Sequence, residues 1–241
     1  MQLAPGLHRV GNDIVAFHLI ETADGITMID AGLPGHWSDL LAELSSMGRT
    51  PDEIRGVVLT HGDSDHIGIA ERLRRDHGVP VHVHAADAAR ARGEVTSHAA
   101  GGPKRLGAML GFAVYALRKG GAKTNRLTEV VEMHDGDVLD LPGSPQIVGL
   151  PGHSPGSVAV FVPLVDTVFV GDALTTRNVL TGVVGPQPAP FTDDPAEALS
   201  SLDALSALDA HRIVPGHGAP WSGNIPDAIR LIRGPRGVAN G

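Results

Sequence analysis

The chain of 241 residues contains no cysteine. That excludes a disulfide framework, a thiolate nucleophile and Cys-ligated zinc. Aromatic residues make up only 3%, so the core must be packed from Val, Leu, Ile and Ala. Basic charge is also short. Lys and Arg number 19 against 27 Asp and Glu, a formal net charge of −8. A nucleic-acid surface wants a basic stripe, so no nucleic-acid partner is expected. Long apolar runs are missing too. The longest, Leu106 to Leu117, is too short to span a bilayer, and no membrane partner is expected. Met1 to Val10 carries Pro5, Gly6 and His8 and no apolar signal-type stretch, so a cytoplasmic location is expected. What remains is an ordinary globular composition, 42% hydrophobic, enough for a sizeable core.

Against that plain background one stretch stands out: Thr60-His61-Gly62-Asp63-Ser64-Asp65-His66. Four side chains able to bind a metal fall within six residues, directly after Val57-Val58-Leu59. The short β-branched run reads as a buried strand. Ile67 to Arg75 has the apolar spacing of a helix. The cluster therefore sits in a strand-to-helix turn, where successive side chains can converge on one point. Imidazole and carboxylate together suit zinc, and also iron or manganese.

Elsewhere the pattern predicts strands at Val15–Ile20, Gly25–Asp30 and Val79–His84, and helices at Ser38–Met47, Asp194–Leu208 and Ile225–Ile232. Asp193 or Asp194 caps the second of these helices, with Pro195 at its first position. His82 and His84 share one face of their strand and read as partners of neighbouring groups. Glu129 to Phe169 holds short apolar runs separated by Asp, Gly and Pro, which predicts antiparallel strands with tight turns. Gly93 to Gly121 is the least regular part. Its apolar segment Leu106–Leu117 has three open roles: a cover over the site, a docking face for a second subunit in a homodimer, or an internal core helix. The whole suits a two-sheet core flanked by helices, residues 1–241 forming one domain with 93–121 as a helical insertion or lid.

Three further segments repeat the grammar of a short apolar strand, a glycine and a ligand-type residue. They are Leu150-Pro151-Gly152-His153-Ser154-Pro155-Gly156-Ser157, Val168-Phe169-Val170-Gly171-Asp172-Ala173-Leu174 and Ile213-Val214-Pro215-Gly216-His217-Gly218. Asp30 leaves an apolar strand in the same way. A lone Gly-His pair says little; four segments built alike say more. Together, Asp30, His61-x-Asp63-x-Asp65-His66, His153, Asp172 and His217 resemble the metallo-β-lactamase superfamily of hydrolases, over about Ile14 to Ala219. The resemblance implies an α+β fold, a four-layer αββα sandwich with the site at one edge between two sheets. It implies two divalent metal ions, zinc first among them. His61, Asp63 and His153 would hold one, Asp65, His66 and His217 the other, and Asp172 would bridge them. Asp30 would stand behind, orienting a ligand or the loop around Asp65. The usual family motif is His-x-His-x-Asp-His. Asp63 stands where the second His belongs, a harder and negatively charged ligand that brings iron or manganese forward.

The implied chemistry is hydrolysis. A divalent metal lowers the pKa of water from about 16 to about 7, so hydroxide is available to attack an ester, thioester, lactone or amide carbonyl of a small-molecule substrate. Asp65 can both ligate and accept the hydroxide proton. Ser64 and Ser154 lie beside ligands, but loop hydrogen bonding explains them better than nucleophilic attack. A glutathione-thioester substrate would want a basic pocket, for which Lys104, Arg105, Arg118, Lys119 and Lys123 are available. Some lactonases of the family place a Tyr over the substrate carbonyl, and Tyr115 is the single Tyr here. The competing class is a non-catalytic metal-binding module of the same fold.

Overall fold

The computed structural model describes residues 1–96, 102–123 and 125–234. Seven strands lie side by side in chain order: β1 (Gln2–Ala4), β2 (Leu7–Gly11), β3 (Ala16–Thr22), β4 (Gly25–Ile29), β5 (Ile54–Val58), β6 (Val81–His84) and β7 (Val131–Met133). Neighbours are antiparallel as far as β4 and parallel from β4 to β7. The switch of sense follows from the connections. Tight turns join the early strands, whereas α1 (Trp37–Ser46) and α2 (Ala70–His77) carry the chain back over one face before the next strand. Helix α3 (Ala88–Ala91) follows β6, and α4 (Leu106–Arg118) lies in the long β6–β7 connection.

The second sheet has the order β14-β13-β10-β9-β8. It comprises β8 (Gln146–Gly149), β9 (Val158–Val162), β10 (Thr167–Gly171), β13 (Arg212–Pro215) and β14 (Trp221–Ser222). Between β10 and β13 run the hairpin β11 (Thr175–Arg177) with β12 (Val184–Gln187), and helix α5 (Pro195–Ser201). Helix α6 (Ile225–Arg233) closes the described chain.

Strand alternation builds the layers. Along β9, Val158, Val160 and Val162 enter one apolar cluster while Ala159 and Phe161 enter another. β10 divides likewise, Phe169 to the first and Val168 and Val170 to the second. Period-two side-chain direction makes each strand serve two cores. The shared cluster joins Leu7, Ile20, Ile29 and Val58 of the first sheet to Ile147, Val160, Phe169 and Val214 of the second. Outside the first sheet, Leu40, Leu44 and Leu73 bring helices onto Ile26, Met28 and Val57. Outside the second, Leu202, Leu205, Ala228 and Ile229 cover Val168 and Ile213. The result is the αββα sandwich. No helix among the described residues is long and apolar enough to cross a membrane.

Three local expectations need correction. The Glu129–Phe169 strands are not one antiparallel set: β7 pairs parallel with β6 in the first sheet, and β10 pairs parallel with β13. β7 needs a parallel neighbour because its chain arrives by a crossover rather than a hairpin. The helix expected over Asp194–Leu208 is capped by Asp194, whose Oδ1 accepts from Ala196 N and Glu197 N, but tightens to a 3-10 turn from Leu202 to Ala207. There Leu202 and Leu205, three apart, are both fully buried, which suits the three-residue period of that turn. Finally, α4 has no buried residue, so it is not a core helix.

Candidate metal centre

Each expected ligand lies at the end of a strand, where the two sheets meet. Asp30 follows β4 with φ 60°, a left-handed conformation uncommon for a residue with a side chain. Its carboxylate is the reason the position is held: Oδ1 accepts from Thr60 N at 2.8 Å, and Oδ2 lies 2.9 Å from His66 Nδ1. The 61–66 turn follows β5, Asp172 follows β10, and His217 follows β13. Gly216 has no room for a side chain, because a Cβ there would strike the His66 ring and sit 3.0 Å from Asp172 Oδ1.

Every one of the four imidazoles is held from outside by its Nδ1. Thr60 Oγ1 is 3.0 Å from that of His61, and Thr192 Oγ1 is 3.2 Å from that of His153. Asp30 holds His66, and the carbonyl of Ile14 holds His217. All four Nε2 atoms therefore face inward, the arrangement by which outer partners orient metal-ligating histidines. They meet three carboxylates. Asp63 Oδ2 is 3.6 Å from His61 Nε2 and 3.4 Å from His153 Nε2. Asp65 Oδ2 is 3.4 Å from His217 Nε2. Asp172 Oδ2 reaches both sides, 3.8 Å from His153 Nε2 and 3.2 Å from His217 Nε2, while Oδ1 is 3.7 Å from His66 Nε2.

The donors group as His61–Asp63–His153, Asp65–His66–His217 and His61–His66–Asp172, the atoms of each group lying within 4.8 Å of one another. The buried Nε2 atoms of His61, His66 and His153, and Asp172 Oδ1, have no hydrogen-bond partner. Buried polar atoms are ordinarily satisfied. Four orphans aimed at one point, in a nitrogen and oxygen donor set, fit divalent metal ions.

Protonation is strongly perturbed. Burial, with the nearby His66 and His153, drives His61 well below its ordinary value. Burial also acts to lower His66 and His217, but carboxylates prevail. Asp30 chiefly raises His66 to about 10, and Asp172 chiefly raises His217 to about 9. Burial works to raise Asp172, yet His217, His66 and His153 hold it well below the usual carboxylate range.

The family model of the metallo-beta-lactamase superfamily matches residues 10–217. The chain belongs to that superfamily. Among curated relatives of this superfamily member, a probable metallo-hydrolase, YflN of Bacillus subtilis, is 26% identical over 234 residues, covering 92% of this chain and 87% of the relative. The uncharacterized protein Rv2581c of Mycobacterium tuberculosis is 33% identical over 170 residues, covering 67% and 68%. Among solved structures, TTHA1623 in a di-iron-bound form is 28% identical with a TM-score of 0.63, covering 93% of this chain and 97% of that one. The Rm3 metallo-beta-lactamase, at 16% identity, has a TM-score of 0.69 over 97% of this chain and 90% of its own, a likeness of fold.

Other expected residues fall elsewhere. Tyr115 is not gathered with the ligands; its hydroxyl lies 2.7 Å from His36 Nε2. His36 Nδ1 accepts from Leu33 N at 2.8 Å, so in the neutral ring the proton sits on Nε2 and the Tyr115 oxygen accepts it. Burial keeps that ring neutral by lowering His36 to about 4. Of the basic residues expected for a substrate pocket, Lys119 pairs with Asp39 at 2.5 Å. Ser154 is structural: its hydroxyl donates to Asp87 Oδ2 at 2.7 Å.

Sequence reasoning missed the residues that assemble the site. Asp87 is fully buried and accepts from Gly62 N, Gly156 N and Ser154 Oγ, which ties the first ligand loop to that of His153. Arg9 donates to Gly218 O at 2.9 Å and so secures the His217 loop from β2. Arg90 grips Asp63. Nothing in local spacing marked these three.

Proposed function

We propose that this protein is a dinuclear metal-dependent hydrolase of small ester-type substrates: an ester, thioester or lactone. The observation that carries the reading is the convergence of four inward-facing Nε2 atoms and three carboxylates on one point, with Asp172 facing both halves. His61, Asp63 and His153 would hold one ion, Asp65, His66 and His217 the other, with Asp172 between them. Bound divalent ions supply Lewis acidity and a water acidic enough to ionise near neutrality. Zinc suits the imidazoles, and Asp63 makes iron or manganese competitive.

The chain's own residues divide the remaining work. Asp65 is more accessible than Asp172, its side chain 22% exposed against 8%, and unlike Asp63, which is 27% exposed, it is not gripped by Arg90. That exposure suits it to pass a proton to solvent while Asp172 stays fixed. Asp30 holds His66 by the ring nitrogen that faces away from the cluster. Residues 97–101 of the 93–121 segment lie outside the described residues; the described part around α4 acts as a lid. What supports this is its anchorage: Gly35 N donates to Lys119 O at 2.7 Å in the loop after Asp30, and Arg105 N donates to Leu180 O at 2.9 Å after Asp172. Helix α4 is thus tied to the loop after β4 and to the turn between β11 and β12. A cavity of about 260 Å³ includes Pro103, Phe191, Thr192 and Ala173, the last adjacent to Asp172, and would take a small apolar acyl group.

The test is a panel of chromogenic esters, thioesters and lactones, assayed with and without chelator after elemental analysis. Hydrolysis of at least one class, abolished by chelation and restored by metal, is the expected result. Bound metal with no turnover across the panel would leave a metal-binding module instead.

A further inference from the structure

Asp63 occupies the position where a second imidazole is usual, and one cation encloses it. Arg90, on α3, is 5% exposed. Its Nε lies 2.5 Å from Asp63 Oδ1 and its Nη2 3.0 Å from Asp63 Oδ2. The remaining nitrogen, Nη1, lies 2.6 Å from Asp193 Oδ2. This is the planar fork of guanidinium on carboxylate, a geometry lysine cannot copy. Oδ1 is committed to Arg90, and only Oδ2 also faces His61 and His153. Asp63 therefore offers the cluster one oxygen.

The charge balance points the same way. Asp30, Asp65 and Asp172 already place three carboxylates in or behind the site. An Asp in place of a neutral His adds a fourth, and a carboxylate drawn partly out of water beside other carboxylates needs a cationic partner. Arg90 restores the charge an imidazole would leave. Its second carboxylate matters as well. Asp193 N donates to His153 O at 3.1 Å, and the preceding Thr192 holds the His153 ring. Arg90 thus joins the segments carrying two of the three residues of the His61–Asp63–His153 half.

We propose that Asp63 and Arg90 form one unit, a single-oxygen metal ligand with its buried counter-cation. Arg90 is the positioning residue that sets metal affinity in the His61–Asp63–His153 half alone. The inference rests on the dinuclear reading above. It is tested by cobalt(II) titration of the full chain, read by visible absorption and by elemental analysis, with thermal melting as a folding control.

Wild type should take up two equivalents. Arg90→Gln should hold one equivalent tightly and the other at least about tenfold more weakly, the size of effect known for partners of metal ligands. Arg90→Lys, which keeps the charge and loses the fork, should fall between and covers the case in which Arg90→Gln does not fold. Asp63→His alone should also lose the first equivalent, because it leaves the buried Arg90 with only Asp193 as its carboxylate partner and sets its freed edge beside an imidazole. The double variant Asp63→His with Arg90→Gln should regain it. A purely structural Arg90 would give additive losses, with no regain in the double variant. Unchanged cobalt affinity in Arg90→Gln and Arg90→Lys, or a double variant no better than Asp63→His, would overturn the proposal and leave the metal-site reading intact. A wild type that takes up no cobalt would sink both.

Discussion

The two halves of the proposed centre are built from similar side chains but supported differently. In the Asp65–His66–His217 half, the outer partners are a buried carboxylate and a main-chain carbonyl. Both can only accept, so each fixes its imidazole with a proton on Nδ1 and leaves Nε2 as the donor atom. In the His61–Asp63–His153 half the outer partners are the hydroxyls of Thr60 and Thr192, whose single protons go to Asp30 and to the Ala189 carbonyl, so each accepts from its imidazole. The carboxylate of that half is shared with Arg90. One half is held by a buried carboxylate and a main-chain carbonyl, the other by hydroxyl oxygens, which are weaker acceptors, and its own carboxylate is shared with an arginine. The first should bind its ion tightly and the second more weakly.

That contrast can be broken or sharpened by substitution. The largest effect is expected where the halves meet. Asp172→Ala removes the oxygens facing both, so hydrolysis should fall about 10³-fold or more and both equivalents of metal should be lost by elemental analysis. Next, Asp30→Asn replaces the acceptor behind His66. The affinity of that half should drop roughly 10- to 100-fold and that of the other half less, since Asp30 reaches His61 only through Thr60, which a competitive chelator titration would resolve. Equal weakening of both halves would erase the distinction. A smaller change, up to about tenfold and confined to the His153 half, is expected for Thr192→Val, because a hydroxyl is the weaker anchor.

The smallest effect concerns a histidine outside the centre. His18 is buried against Phe169, and burial together with Arg9 lowers it from 6.5 to about 3. The unfolded chain therefore takes a proton that the folded chain refuses. Stability from this group is complete above its unfolded value of 6.5 and is lost as the pH falls toward about 3. Between pH 7 and pH 5.5 the loss should be about 1 kcal/mol, and His18→Leu should flatten that part of the stability curve in chemical denaturation. An unchanged slope would mean that His18 does not govern acid sensitivity in this range.

The legible parts of the molecule were those in which cause and effect are close in sequence. Val57-Val58-Leu59 before His61 announced a buried strand ending in ligands, and Asp194 with Pro195 announced a helix start. β1, β2 and the β11–β12 hairpin were missed. Their runs are short, and Val184 to Gln187 is interrupted by Gly185 and Pro186, so no alternation shows. Tyr115 was drawn toward the substrate by resemblance, whereas its partner His36 was visible only once α4 had a position.

The amino-acid order by itself determined the ligand types and the strand ends that carry them, because a short apolar run, a glycine and a polar residue make a local signal. It also determined the two-sheet sandwich, through period-two strands that feed two cores. Tertiary structure alone decided which side chains stand behind the ligands. Asp87, Arg90 and Thr192 act through hydrogen bonds to residues 25 to 103 positions away, and no local pattern selects such partners. They are chosen by the orientation of loops that only the packed sheets bring together.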